Sequence, residues 1–149
     1  MAQSDTWWPR INAASPVPLY VQIVQSVAFA IASGELTPGD ALPSVRSLAA
    51  GLCINPNTAA RSIREMEVNR LSRPVRGVGS VVADEAREAA ASLASSALLR
   101  ELDATIEIAR SLSFDLDETL KSLSERWKET RKCDTTASSR ATRVSKLKG

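Results

Sequence analysis

Leu42-Pro43-Ser44-Val45-Arg46-Ser47-Leu48-Ala49 and, a few residues on, Asn55-Pro56-Asn57-Thr58-Ala59-Ala60-Arg61-Ser62-Ile63-Arg64-Glu65-Met66 decide the reading of this chain. The first stretch predicts a short helix that opens near Pro43-Ser44, with Val45, Leu48, Ala49 and Leu52 on its apolar side. After Cys53-Ile54, Asn55 suits an N-cap and Pro56 the first helical position, where its missing N–H costs nothing. The helix so opened buries Ala59, Ile63 and Met66. The same 3.6-residue period turns Asn57, Thr58, Arg61 and Arg64 to the opposite face. Two short helices across a tight turn, the second offering polar and arginine side chains, predict a helix-turn-helix.

Working outward, Ser15-Pro16-Val17-Pro18 is held extended by its prolines. Leu19, Ile23, Val27, Ala30 and Ile31 then recur at helical spacing, with Tyr20 and Val24 beside them. Gly34 is the expected left-handed residue closing this helix, and Leu36-Thr37-Pro38-Gly39-Asp40 a turn. On the other side, Leu71 to Val75 reads as a strand, Arg76-Gly77-Val78-Gly79 as a turn and Ser80 to Val82 as the return strand. The two glycines let backbone approach a phosphate, and Arg76 sits at the tip. Pro74 confines its strand to an edge, because it has no N–H for the ladder. Helix, turn, helix, turn, helix, hairpin is the order of a winged helix-turn-helix.

Beyond the wing the chain reads as helical. Leu98, Leu102, Ile106, Ala109 and Leu112 form one stripe, and Leu116, Leu120, Leu123 and Trp127 repeat at 4-3-4 spacing. Asp115 with Glu118 three residues on is a capping box, so a break is expected near Ser113–Phe114. Two helices of about 25 and 15 residues with nothing else to cover them cannot bury such stripes alone. A second copy of the chain is the natural cover, which makes Leu98, Leu102, Ile106, Leu116, Leu120, Leu123 and Trp127 dimerisation residues. From Thr135 the chain is rich in Ser, Thr, Lys and Arg without apolar period, and disorder is expected. The expected division is an N-terminal arm over residues 1–15, a winged domain over 16–83, a helical extension over 84–132 and a basic tail over 133–149. Trp7 and Trp8 of the arm are expected to pack on the first helix or a partner. The fold class is mainly α with a small β wing.

Charge sharpens the functional reading. The 149 residues hold 19 Lys and Arg against 17 Asp and Glu, a net +2 that hides three blocks. Ser44 to Arg76 carries six arginines against Glu65 and Glu67; Asp84 to Glu118 carries nine acids against three arginines; Arg126 to Gly149 carries eight basic residues against two acids. Every basic residue before Lys121 is arginine, whose planar fork suits phosphates and guanine edges. The absence of histidine removes the commonest general base and zinc ligand, and Cys53 and Cys133 lack the spacing of a zinc knuckle. No nucleophile–base set or phosphate-cradling loop is present, and Asp115 and Asp117 are better explained by the helix start than by catalysis. No enzyme, metal or cofactor is expected. Neither a secretory leader nor an apolar run of roughly 18–20 residues is visible, so the chain reads as cytoplasmic.

Leu19-Tyr20-Val21-Gln22-Ile23, Ile31-Ala32-Ser33-Gly34-Glu35-Leu36-Thr37-Pro38-Gly39-Asp40 and Leu42-Pro43-Ser44-Val45-Arg46 resemble the DNA-binding domain of GntR-family transcription regulators. Ile54-Asn55-Pro56-Asn57-Thr58 with Arg61 resembles the YtrA-like branch, whose short two-helix extension serves dimerisation. The resemblance implies a homodimeric repressor that binds a double-stranded DNA operator, with contacts from Ser44 and Arg46, from Asn55, Asn57 and Thr58, and from Arg76 and Gly77 at the wing. Arg61 and Arg64 join them on helical phase alone. Asn55, Asn57 and Thr58 equally suit simple capping. Three departures stand out: Cys53 occupies the usual turn glycine, Pro56 a position where the family often has arginine, and Asn69-Arg70-Leu71 replaces Glu-Gly-Leu, with Asn69 expected to take the left-handed turn. Two rival functions remain open, a protein-interaction module and a low-specificity DNA-binding protein that uses the basic tail.

Overall fold

The computed structural model describes residues 7–145, with side chains through residue 130. The elements run α1 (Leu19–Ser33), α2 (Val45–Gly51), α3 (Pro56–Val68), β1 (Ser72–Val75), β2 (Gly79–Val82), α4 (Ala86–Ser111) and α5 (Leu116–Ser145). Contacts divide the chain into two compact units, Met1–Leu99 and Arg100–Gly149.

The first unit is the winged helix-turn-helix, built around one apolar cluster. Ile23, Val27, Ala28 and Ile31 of α1 meet Leu36 and Leu42 of the following loop, Met66 of α3, and Leu71 and Val82 at the base of the wing. Gly34 closes α1 at φ 81°, as expected, and donates to the Ile31 carbonyl. The Leu36 N–H reaches back to the Ala30 carbonyl at 3.0 Å, which seats its side chain in the core. Asp40 then ties its own turn by accepting from the Thr37 amide at 2.7 Å and the Thr37 hydroxyl at 3.0 Å.

The wing is an antiparallel pair in the register Ser72↔Val82, Arg73↔Val81, Pro74↔Ser80 and Val75↔Gly79. The first strand starts at Ser72 instead of Leu71, because the Leu71 amide is used to close α3 on the Met66 carbonyl at 2.9 Å. A feature absent from the pattern reading is that the loop before α2 joins this sheet. Ala41 bridges Val81, Leu42 donates to the Ser80 carbonyl, and Val82 donates to the Asp40 carbonyl. β2 is therefore central, and Pro74 sits on the outer strand β1, where its missing donor is harmless.

One expectation about a turn is corrected. The left-handed residue after α3 is Arg70, at φ 58°, while Asn69 stays at φ −82°. Asn69 is held to the helix because its backbone N–H and its side-chain amide both donate to the Glu65 carbonyl, so the chain reverses one residue later. Next to the expected division at residue 84, α4 begins at Ala86. Ala86 and Ala90 are fully buried in the winged-domain cluster with Leu93 packed against it, so the first turns of α4 belong to that core. Of the acidic residues that marked the boundary, Asp84 and Glu85 precede the helix and Glu88 is exposed on it, so their charge says nothing about what the alanines touch.

The arm before α1 is tied to the first unit. Pro9 is buried, Trp7 and Ile11 pack against the cluster, the Arg10 N–H donates to Ser26 Oγ at 2.9 Å, and the Asn12 N–H donates to Gln22 Oε1 at 2.7 Å. Trp8 departs from expectation by lying on α2, over Gly51.

Taken by itself, the second unit holds the rest of α4 and all of α5. The break between them is as expected: Ser113 turns at φ 61°, the Glu118 N–H donates to Asp115 Oδ1 at 2.8 Å, and the Asp115 N–H donates to Glu118 Oε2 at 3.0 Å. α5 is twice the expected length, running 30 residues to Ser145 through the segment expected to be disordered. Neither Gly nor Pro interrupts Leu116 to Ser145, so the backbone has no reason to leave the helix even though the apolar period ends. Among the described residues no helix is long and apolar enough to cross a membrane.

Candidate nucleic-acid interface

Three elements of the first unit carry the side chains singled out by the sequence. Ser44 is the N-cap of α2: its Oγ accepts from the Ser47 N–H at 3.1 Å and lies 2.9 Å from Ser47 Oγ. Arg46, in the first turn of α2, is exposed. α3 opens as its sequence demands, with Asn55 accepting from the Asn57 N–H at 2.8 Å and Pro56 in the first turn. Asn55 is thus a cap in fact. Asn57 is exposed and its side chain makes no hydrogen bond among the described residues, whereas Thr58 is half-buried.

Further along α3, Ala59, Ser62 and Met66 are buried and Arg61 and Arg64 exposed. The 57–61–64 stripe expected from helical phase is therefore real. Arg61 does not hang free: its guanidinium carbon lies 3.8 Å from the centroid of the Tyr20 ring on α1. At the wing, Arg76 and Gly77 form the apex, Gly77 at φ 80° and Gly79 at φ 110°, and the Val78 N–H donates to the Val75 carbonyl at 3.1 Å. Nothing lies within 4 Å of where a Cβ would stand at either glycine, so the apex backbone is open to a close neighbour.

Among the described residues only Arg73 of this unit has a carboxylate within ion-pair distance: its Nε lies 3.5 Å from Asp84 Oδ2. That exposed, loose pair adds little stability. Among the described residues Arg46, Arg61, Arg64, Arg70 and Arg76 have no carboxylate within ion-pair distance. No group of three Cys, Asp and Glu among the described residues is placed to hold a metal ion. Pattern reading missed Tyr20 and Gly51, because the one acts by a contact between helices and the other by the room it leaves for Trp8.

This arrangement, a capped short helix, a second helix with an arginine and amide stripe, and a glycine-tipped hairpin, is that of a winged helix-turn-helix module. Residues 19–82 match the family described as bacterial regulatory proteins, gntR family. The HTH-type transcriptional repressor YtrA of Bacillus subtilis is 36% identical over 78 residues, which cover 52% of this chain and 60% of YtrA. The HTH-type transcriptional regulator YhcF of the same species is 40% identical over 72 residues, or 48% of this chain and 60% of YhcF. Among solved structures, a GntR family transcriptional regulator from Listeria monocytogenes aligns with a TM-score of 0.63 at 25% identity, over 77% of this chain and 98% of that one. The chain spans 60% of the length of each of these two curated relatives. These relatives are transcription regulators, not enzymes.

Proposed function

We propose that the chain is a cytoplasmic, sequence-specific DNA-binding transcription regulator that acts as a homodimeric repressor on a pseudo-palindromic operator. The observation that carries this reading is the set of exposed arginines, Arg46, Arg61, Arg64 and Arg76, spread over α2, α3 and the wing apex and without a counter-ion among the described residues. In it, α3 enters the major groove, where Asn57 and the arginines meet base edges and phosphates, and the wing lies on the adjacent backbone. Two copies then place two α3 helices on half-sites about one helical turn apart. The second copy is supported by the apolar side chains left in water. Leu98, Leu116 and Trp127 are 58%, 72% and 65% exposed, Ile106, Leu120 and Leu123 are also exposed, and Leu102 is half-buried.

Enrichment of duplexes from a random-sequence library by the full chain, followed by footprinting, tests the reading. A conserved two-half-site sequence is expected. Binding of all duplexes with equal affinity would support the low-specificity rival, and no binding even at low salt would remove the regulator reading. On an enriched duplex, Arg46→Ala and Arg76→Ala should each weaken binding and reduce the salt slope by about two, one for each protomer, without dissociating the dimer.

A further inference from the structure

We propose that Tyr20 is a positioning residue for DNA binding: its ring is the platform that holds the Arg61 guanidinium in a fixed plane at the surface of α3. The inference rests on the DNA-binding reading above and adds to it a residue that lies on a different helix from those expected to touch DNA.

The guanidinium carbon of Arg61 is 3.8 Å from the Tyr20 centroid. A carbon that near the centroid has to lie over the ring face, since approach from the edge is blocked by the ring hydrogens. A stacked guanidinium keeps its five N–H donors around its rim, in a plane parallel to the ring and not directed at its face. None of them is spent: Arg61 makes no hydrogen bond or ion pair among the described residues. It is also exposed, one turn beyond Asn57 and one turn before Arg64 on the outer stripe of α3. An exposed arginine ordinarily samples many rotamers and must give up that freedom to bind a phosphate. The stack gives it up in advance, while both donors needed for a bidentate phosphate contact stay available.

Stability alone does not explain the contact. α1 and α3 already share a buried cluster that includes Ile23, Val27 and Met66, so an exposed cation–π pair adds little to their joining. Tyr20 is itself constrained, half-buried in the first turn of a helix whose next turn is core. The platform is therefore fixed by the fold, and the flexible partner is the one it orders.

The test is a double-mutant cycle on an enriched duplex, read by fluorescence anisotropy with thermal melts of every variant. Tyr20→Phe, which retains the ring, should bind like the wild type. Tyr20→Leu should bind roughly three- to tenfold more weakly, the range a cation–π contact gives. In an Arg61→Ala background the same Tyr20→Leu change should cost no further affinity. A full loss in both backgrounds, or no loss from Tyr20→Leu alone, overturns the proposal. Should Tyr20→Leu melt below the assay temperature, Arg61→Lys decides. It retains the charge without the flat fork, so a clear loss is expected and wild-type affinity overturns the platform. If the wild type enriches no duplex, the regulator reading itself fails, an outcome distinct from an additive cycle.

Discussion

A side chain other than glycine held at positive φ gives up roughly 1 kcal/mol, and three residues here accept that cost: Cys53 at 52°, Arg70 at 58° and Ser113 at 61°. Each stands where a helix stops. Cys53 was legible because the family's turn glycine fixes the position, but the turn after α3 was misassigned to Asn69. Asparagine is the better left-handed residue in isolation, and composition favours it. What decides the matter is the Glu65 carbonyl, which Asn69 engages with both its backbone and its side chain at the end of α3. Intrinsic preference loses to two hydrogen bonds. It follows that Arg70→Gly relieves strain without disturbing a packed side chain, since Arg70 is exposed. The variant should be more stable by about 0.5–1 kcal/mol, read as a higher denaturant midpoint with an unchanged slope. A lower midpoint would mean that the arginine side chain stabilises the turn.

At the scale of the element, α2 is too short to be stable alone and depends on its ends and neighbours. Ser44 caps one end, and Trp8 covers the other through Gly51, where a Cβ would stand 2.8 Å from the ring atoms Cη2 and Cζ3. The start of α2 was legible as Pro-Ser ahead of an apolar period, and so was the capping box of α5. Gly51 was not, since it has no positive φ and nothing local marks it as a seat. The same blindness hid the first turns of α4, where Ala86 and Ala90 read as helix formers and turn out to be core. Gly51→Ala brings two opposed effects. Alanine favours the helix by about 1 kcal/mol over glycine, whereas the new methyl displaces Trp8. The substitution should gain little in the natural chain but stabilise by about 1 kcal/mol once Trp8→Ala has emptied the seat. Equal effects in the two backgrounds, measured by denaturant unfolding, would show that the ring does not constrain this position.

For the molecule as a whole, the near-neutral total charge conceals a division of labour: arginines gather in the winged domain, acids in the following helices and mixed basic residues at the end. The acidic block makes α4 and the start of α5 poor surfaces for a polyanion, and leaves their apolar side chains as a means of association. Leu112, Leu116, Leu120, Leu123 and Trp127 are all exposed along this stretch, more apolar surface than a monomer ordinarily leaves in water. The 4-3-4 spacing that exposed them in the sequence is the same spacing that lets two such helices pack. If the second copy covers this stripe, Leu120→Asp places a charge in the seam, and an unpaired charge there is not tolerated. Sedimentation should then show a monomer with unchanged helical content, because Leu120 is 51% exposed in the single chain and supports no fold of its own. Operator binding should weaken by more than tenfold, since a tethered pair of half-site contacts becomes two separate ones. A monomer that binds a single half-site as well as the parent chain does would confirm that the winged domain is intact. A dimer that survives the substitution would place the association elsewhere and leave the stripe to another partner.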